Sequence, residues 1–337
     1  MFRRIKTAFA AALAAGLTLG SGLTLGAGGA AAETAWPLRN ITIIVPYSAG
    51  GATDILARKV AEGLTTILGK TVIVDNRPGA GATLGTTLAA NAKPDGYTLF
   101  LGQVSSHGIA PNLYTTLKYD PVKSFVPIVY LDAIPNILVV NKNLPVNTVD
   151  ELIAYAKANP DKLNYASSGI GASTHLSGEM FKAKTGIQMT HIPFPGSAQA
   201  ITSVIGGQTQ LMFDNMPSAY QYVLSGDLKA LAITTLQRSP LAPNIPTVAE
   251  AAKSVDLSTF EATSWFGLFA PAGTPKEVVA RVNAATNELL KKPEMIKFLH
   301  DSGAVVGGGT PEELARHVDA ELAKWKGVID QAGVPKQ

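Results

Sequence analysis

Cysteine is absent from this sequence of 337 residues. The chain therefore cannot form disulfide bonds, and it lacks the residue that bacterial lipid attachment requires. Its fold must rest on a core of buried apolar side chains. The length is enough for two domains of about 150 residues each.

Excess charge is also absent once the first residues are set aside. The sequence has 28 Lys and Arg against 25 Asp and Glu, and three of the basic residues (Arg3, Arg4 and Lys6) fall within the first six positions. The remainder, from residue 33 onwards, is formally neutral. Nothing in this balance indicates binding to nucleic acid or to an anionic membrane.

Residues 1–32 combine a basic start, an uncharged stretch rich in Ala, Leu and Gly, and the small residues Ala30, Ala31 and Ala32. This pattern is typical of a secretory signal peptide that is removed on export. A membrane anchor is the alternative, but its hydrophobicity would be lowered by the glycines and by Thr18, Ser21 and Thr24. We expect a periplasmic protein.

Signatures of common enzymes and cofactor sites are missing. The stretch "GAGATLG" (79–85) has Leu84 where a dinucleotide-binding motif needs its third glycine;. Ser48 follows Tyr47 and Pro46, which does not fit a G-x-S-x-G nucleophile elbow. The five histidines are scattered without metal-binding spacing;. The sequence predicts no cofactor and no metal site.

Strand-like apolar runs alternate with helical patterns along the rest of the chain, which predicts an α/β fold built from βαβ units. The pattern starts afresh after Pro135, so we expect two domains. The strands are predicted near 41–45, 72–74, within 94–102 after a turn, 137–140, at the start of 163–186, and near 189–192, 211–213, 229–234 and 265–270. Two helices are expected to close the chain, with capping boxes at Thr274/Glu277 and Thr310/Glu313.

Five polar, glycine-rich loops each follow a strand and precede a helix. They are residues 46–54, 102–108, 167–175, 193–197 and 213–218. Ligands of open α/β sheets bind at the carboxyl ends of strands, where helix N-termini offer free N–H groups. None of the five loops contains Lys or Arg, which favours a small carboxylate over a phosphate. Ordinary caps and turns remain the alternative for any single loop.

The run "WPLRNITIIVPYSAGGATDILAR" (36–58) resembles the start of the mature Bug/TctC family, the periplasmic solute receptors of tripartite tricarboxylate transporters. The segments "VIVDNRPGAGATLG", "PDGYTLFLG", "LNYASSGIGASTHLSGE", "IGGQTQLMFDN" and "LFAPAGTPKEVVARVN" are similar in order and spacing. The resemblance implies a two-domain periplasmic-binding-protein (Venus-flytrap, type II-like) fold with two interdomain crossings. The expected domains are 36–136 plus 266–337, and 137–265, with hinges near 135–138 and 266–269.

The resemblance also implies a small organic carboxylate in the interdomain cleft. The ligand-binding residues that it suggests, together with the loop at 102–108, are Tyr47, Ser48, Ala49, Gly50, Gly51, Thr53, Asp54, Gln103, Ser105, Ser168, Gly169, Gly171, Ser173, Thr174, His175, Gly196 and Asp214. We expect Asp54 to turn onto backbone donors or to recognise a donor on the ligand. The family often has Pro-Tyr-Lys-Gly where this chain has Pro193-Phe194-Pro195-Gly196, which indicates a less polar ligand end.

These features predict a monomeric solute-binding protein that does not bind nucleic acid, with no catalytic residues. Its partner would be a transporter membrane component or a membrane sensor. The alternative is an exported α/β hydrolase-like enzyme acting on a small carboxylated substrate. That alternative requires a nucleophile with a base within reach, which the sequence does not show.

Overall fold

A single mixed β-sheet of ten strands runs through residues 36–337, the part of the chain that the computed structural model describes. The predicted signal peptide lies outside these residues. The strands are β1 Ile41–Val45, β2 Val72–Asn76, β3 Thr98–Gln103, β4 Phe125–Asn141, β5 Asn164–Ser167, β6 Thr190–Pro193, β7 Leu211–Asn215, β8 Leu228–Ile233, β9 Thr263–Pro271 and β10 Val305–Gly308. The helices are α1 Ala52–Leu68, α2 Thr83–Ala90, α3 Ala110–Leu113, α4 Val149–Ala158, α5 Ser173–Thr185, α6 Ser197–Ile205, α7 Met216–Leu224, α8 Val248–Ala251, α9 Lys276–Leu290, α10 Pro293–Asp301 and α11 Pro311–Ala332.

The first half of the sheet has the strand order β2-β1-β3, with all three strands parallel. β1 is apolar and almost entirely buried, as expected for a strand covered on both faces;. Helix α1 buries Leu56, Val60 and Leu64 at helical spacing;. It ends at Gly69, whose φ of 70° supplies the left-handed stop that the sequence predicts;.

The second half of the sheet places β7 between β4 and β5, and β6 at its edge. Helix α5 packs against β7, and α6 packs against β5 and β7. These strands are also followed directly by helices, so the carboxyl ends of β5, β6 and β7 carry three of the predicted loops. Those loops face the loops that follow β1 and β3.

Two long strands join the halves. Residues 125–135 of β4 pair with β9, whereas residues 136–141 pair with β7 and β8, so the first crossing lies at residues 135–136, inside the predicted hinge. The second crossing lies at residues 262–264, where the Ala262 N–H donates to the Thr234 carbonyl of the second half. Residues 266–269, where the second hinge is predicted, pair with both β3 and β4 in this structure.

The C-terminal part differs from the sequence prediction. Three helices (α9, α10 and α11) follow β9 rather than two, and β10 lies between the last two and pairs with β4. The predicted capping box at Thr310 and Glu313 is confirmed. The one at Thr274 is wrong: α9 has Pro275 at its N-cap, and the Thr274 hydroxyl donates to the Pro271 carbonyl.

Asp132 on β4 is a buried acid, 2% exposed, whose Oδ1 has no hydrogen-bond partner among the described residues. Burial raises the pKa of this carboxyl to about 8. Because the folded-state pKa lies above the unfolded value of about 3.9, the folded state binds the proton more tightly. The stability contributed by this group is therefore fully present below pH ~4 and is lost as the pH rises to about 8.

We expect Asp132→Asn to remove this dependence. At pH 8 the variant should be more stable than the wild type by on the order of 2–4 kcal/mol, measured by urea unfolding. Asp161→Asn, a change at an exposed aspartate, is the control and should keep the wild-type profile. An Asp132→Asn profile that still falls between pH 4 and 8 as steeply as the wild type would contradict this explanation.

Within residues 36–337, no helix is both long and apolar enough to cross a membrane. The same residues contain no cluster of three or more His, Cys, Asp or Glu side chains that could hold a metal ion.

Candidate functional site

The loops of the two halves meet around a narrow cavity with a free volume of about 10 Å³. We call it the central cavity. Its lining residues are all uncharged, and come from the loops after β1, β3, β5, β6 and β7. They are Tyr47, Gly51, Ala52, Thr53, Gln103, Ser168, Ser173, Ser197 and Asn215.

The loop after β1 brings the start of α1 to the cavity. Gly51 is the N-cap of this helix and has extended backbone angles, so the first N–H groups of α1 have no partner within the helix;. No side chain caps this end. The 17-residue helix therefore presents free donors and the positive end of its dipole at the cavity wall;.

Two buried side chains add donors at the same end. The Oη of Tyr47 and the Nε2 of Gln103 have no hydrogen-bond partner in the described structure, although these residues are only 7% and 3% exposed. Gln103 Oε1 accepts from the Thr53 hydroxyl at 3.4 Å, which leaves its Nε2 as the free group. Burial raises the pKa of Tyr47 above its ordinary value and outweighs the lowering effect of the nearby Ser105 hydroxyl, so the phenol stays protonated and can donate. We call Tyr47, Gln103 and the start of α1 the donor end.

Asp54 points away from the cavity, onto groups of its own half. Its carboxylate accepts from the Gly50 N–H at 3.0 Å and from Asn76 Nδ2 at 3.0 Å, and Arg58 binds it through two nitrogens. Burial alone would raise the pKa of Asp54, but hydrogen bonds from Arg58, Gly50 and Asn76 outweigh it and hold the pKa below its ordinary value. Of the two alternatives expected for Asp54, the structure shows the first, with the Gly50 N–H as its backbone donor.

The loop after β5 is stiffened by its own hydrogen bonds. Thr174 Oγ1 accepts from the Ser168 N–H at 3.0 Å, and His175 Nδ1 accepts from the Gly171 N–H at 3.1 Å. Gly169 and Gly171 have φ values of 121° and 84°, which favour glycine;. Burial lowers the pKa of His175 to about 4, so this side chain brings no positive charge to the cavity at neutral pH.

The loops after β6 and β7 are joined through Asp214, which is completely buried. Ser197 and Ser218 donate their hydroxyl protons to its two oxygens, each at 2.7 Å. Burial raises the pKa of this carboxyl to about 6, against the lowering effect of the hydrogen bonds from Ser197, Ser218 and the Asn215 backbone. The carboxylate of Asp214 is therefore mostly ionised at neutral pH.

The structure brings six of the seventeen predicted ligand-binding residues to the cavity wall: Tyr47, Gly51, Thr53, Gln103, Ser168 and Ser173. Eleven others do not line it. They are Ser48, Ala49, Gly50, Asp54, Ser105, Gly169, Gly171, Thr174, His175, Gly196 and Asp214. Asp214 and Thr174 hydrogen-bond to the lining residues Ser197 and Ser168, whereas Ala49 and Gly50 lie at the surface.

Three lining residues are not among the seventeen named ones: Ala52, which lies within the predicted loop at 46–54, Ser197 and Asn215. Ser197 follows the predicted Gly196, and Asn215 follows the predicted Asp214. Ser197 and Asn215 belong to loops that the sequence identified. Which residue of each pair faces the cavity depends on the backbone conformation between β6 and α6 and between β7 and α7. Composition and motifs do not predict that conformation.

Comparison with known proteins decides what kind of site this is. Residues 56–334 match the family model described as "Tripartite tricarboxylate transporter family receptor", TctC. This chain belongs to the TctC family. The family description names its members as receptors.

Several solved structures are similar over nearly the whole chain. R. palustris Rpa4515 with adipate is 37% identical, with a TM-score of 0.86, and the match covers 90% of this chain and 100% of that one. The periplasmic binding protein BugD is 37% identical, with a TM-score of 0.85, and the match covers 90% of this chain and 100% of that one. MatC from Rhodopseudomonas palustris with bound malate is 34% identical, with a TM-score of 0.83. That match covers 87% of this chain and 100% of the other. The TctC chain described here therefore has the two-domain periplasmic-binding-protein fold.

The hydrolase alternative finds no support in this TctC protein. Two Ser–His contacts exist among residues 36–337 that resemble part of a catalytic triad: Ser106 with His107 at 2.8 Å, and Ser167 with His191 at 2.6 Å. Both serines are completely buried, and neither lines the central cavity. A substrate in the cavity could not reach them. The family and the similar solved structures are solute receptors, so this protein is a solute receptor and not an enzyme.

Proposed function

We propose that this protein captures a small organic carboxylate in the central cavity, for uptake or for sensing. The observation that carries the proposal is the donor end. Two buried side-chain donors without partners, Tyr47 Oη and Gln103 Nε2, lie beside the free N–H groups at the start of α1. An unpaired buried donor costs about 1–3 kcal/mol, so such groups are expected to have a partner when the site is filled.

The free energies of hydrogen bonds and of the helix dipole are large enough to hold an anion in a cavity that has no basic side chain. Each hydrogen bond to a charged group contributes about 1.5–3 kcal/mol, and the helix dipole adds up to ~2 kcal/mol at a partly buried site. Among the described residues the nearest cation along α1, Arg58, is already paired with Asp54 at 2.9 Å. The related structures named with adipate and malate also support a carboxylate ligand.

Tyr47→Phe tests this proposal, because it removes one donor and little else. We expect affinity for the carboxylate, measured by calorimetry with a panel of small organic acids, to fall at least tenfold. The free protein should be as stable as the wild type or more stable, since an unpaired buried hydroxyl is removed. Unchanged affinity for every acid that binds the wild type would contradict the proposal.

Tyr119→Phe is the matched control. The Tyr119 hydroxyl donates to the Ser106 carbonyl at 2.8 Å and does not line the cavity. This variant should lose about 1 kcal/mol of stability and keep its affinity, which is the reverse of the expected Tyr47→Phe result.

The partner that we propose is a transporter membrane component or a membrane sensor, with the receptor acting as a monomer in the periplasm.

We also propose that residues 1–32 are removed on export. N-terminal sequencing of periplasmic material should then begin near Glu33 or Trp36. Recovery of chains starting at Met1 in the membrane fraction would contradict this.

We further propose that the halves move as two domains, 36–136 plus 266–337 and 137–265, with the second hinge shifted to residues 262–264. Contacts across the cavity include Tyr114 Oη donating to the Ile170 carbonyl at 2.9 Å and the Ser173 N–H donating to Ser105 Oγ at 3.2 Å. A bound ligand would add to these few contacts and favour the closed form.

Solution scattering should therefore give a smaller radius of gyration with saturating ligand than without it. Tyr114→Phe, which removes one contact across the cavity, should enlarge the ligand-free value further. A radius that stays the same with a proven ligand would indicate a rigid receptor.

A further inference from the structure

One contact between the two halves lies outside the wall of the central cavity. It joins Ala80 and Gly81, in the turn before α2, to Gly169 and Ile170, in the loop after β5. None of these residues lines the cavity. A Cβ built on Gly81 would overlap the Ile170 carbonyl oxygen and would stand 2.7 Å from its carbonyl carbon. The backbones of the two halves therefore touch here, and even the smallest side chain at position 81 would hold them apart.

Tyr114 bridges the same contact. Its hydroxyl donates to the Ile170 carbonyl of the second half at 2.9 Å, and the Ala80 carbonyl of the first half lies 3.2 Å from the same hydroxyl. Because a phenol carries a single proton, that proton is shared between one carbonyl of each half. Burial raises the pKa of Tyr114 above its ordinary value, so the proton is kept at neutral pH. We call Ala80, Gly81, Tyr114, Gly169 and Ile170 the latch.

Gln337 holds the backbone on both sides of Tyr114. The Gln337 N–H donates to the Leu113 carbonyl at 2.9 Å, and the Gln337 carbonyl accepts from the Thr115 N–H at 2.8 Å. The Thr115 hydroxyl donates to the same carbonyl at 2.9 Å. These hydrogen bonds fix the short stretch of backbone from which the Tyr114 side chain reaches across to the second half.

The latch can form only when the two halves are close together, because its residues come from both. A contact that is present in one form of a protein and absent from another shifts the equilibrium towards the form that has it. Since no residue of the latch lines the central cavity, this shift is independent of contacts to a ligand.

We infer that the latch stabilises the closed form and slows ligand release, and that Gln337 keeps Tyr114 in place for it. The inference rests on the proposed function, because it takes the ligand to be held in the closed form. Tyr114 and Gln337 are positioning residues, since neither lines the cavity. Retention of the ligand is thus assigned to other residues than those that bind it.

The absence of cysteine allows the closed form to be measured without a ligand. Lys93→Cys in the first half and Lys157→Cys in the second, both exposed, would carry spin labels whose separation is measured by pulsed electron paramagnetic resonance. We expect Gly81→Ala in this background to remove most of the short-distance population. Tyr114→Phe should lower the ratio of closed to open form about fivefold, as expected for one hydrogen bond.

Gly69→Ala is the matched control for Gly81→Ala. Both glycines have a left-handed φ, 70° and 59°, so alanine is strained to a similar degree at either position;. A Cβ at Gly69 meets no atom within 4 Å, whereas one at Gly81 overlaps the second half. Both variants should lose a similar amount of stability, but Gly69→Ala should keep the wild-type label distances.

Release rates test the second part of the inference. Malate and adipate, the acids named with two of the similar structures, serve as probes, and their release is followed by stopped-flow tryptophan fluorescence. Tyr114→Phe and a chain shortened to end at Val334 should each release a bound probe about fivefold faster, with an unchanged association rate. The two changes combined should release it no faster than either alone, because Gln337 acts through Tyr114. Tyr119→Phe should keep the wild-type rate.

The outcomes separate the latch from the proposed function. Equal label distances in the wild type, Gly81→Ala and Tyr114→Phe would overturn the inference, whether or not an acid binds. Changed distances with unchanged release of a bound probe would overturn its second part. Failure of every acid of the panel to bind would overturn the carboxylate proposal, and the label distances would still decide on the latch.

Discussion

Replacing Gln103 with glutamate should nearly abolish carboxylate binding, with a dissociation constant raised a hundredfold or more. The change exchanges the free Nε2 donor for an oxygen and places a second negative charge beside the ligand. Two unit charges 4 Å apart at an effective dielectric constant of 20 repel by about 4 kcal/mol, which corresponds to roughly a thousandfold in affinity. Partial protonation of the new carboxyl would reduce this to the hundredfold that we expect.

Gln208→Glu is the matched control, since it adds the same charge at an exposed position. Calorimetry with one acid should show normal affinity for this control and none measurable for Gln103→Glu at comparable concentrations. Equal affinity in both variants would place the ligand away from Gln103.

Replacing Glu321 with leucine should cause the largest loss of stability among the single changes considered. Glu321 Oε2 accepts from the indole N–H groups of Trp265 on β9 and Trp325 on α11, each at 2.9 Å. Both tryptophans are almost completely buried, so the variant leaves two buried donors without a partner. At about 1–3 kcal/mol each, the loss should be on the order of 3 kcal/mol. A fall in Tm of roughly 6–10 °C would follow.

Urea unfolding measures this loss directly. Glu321→Gln keeps an acceptor oxygen and should lose less than half as much as the leucine variant. Glu312→Leu, at an exposed position in the first turn of the same helix, should change stability by less than about 1 kcal/mol;. A leucine variant at position 321 as stable as the wild type would show that this contact is not what holds α11 on the sheet.

Much of the fold was predictable because local signals and tertiary structure agree. The continuous apolar run of β1, the glycine stop after α1 and the capping box of α11 each act through residues close in sequence. The alternation of strands with helices then indicates a parallel sheet with loops gathered at the carboxyl ends of its strands. The family resemblance agreed with this pattern.

The parts that were not predicted depend on distant partners. β4 runs for 17 residues and changes partners midway, although the sequence indicated only its second half, because Pro127 and Pro135 interrupt the strand pattern;. β10 contains two glycines and is held by pairing with β4, which no local propensity encodes.

The candidate site likewise has features that local sequence predicts and features that depend on distant partners. Sequence reasoning found the loops, since glycine, serine and threonine between a strand and a helix are a local signal. It did not find that Ser197 and Asn215 face the cavity, because their orientation is set by Asp214 and Asn136. The orientation of these two side chains is thus a property of the folded hydrogen-bond network.

A crystal structure of the protein with the tightest-binding acid of the panel tests the central claim most directly. We predict that the carboxylate lies in the central cavity, within hydrogen-bond distance of Tyr47 Oη, Gln103 Nε2 and the first N–H groups of α1. An acid bound elsewhere, or one whose carboxylate is turned away from these donors, would contradict the account.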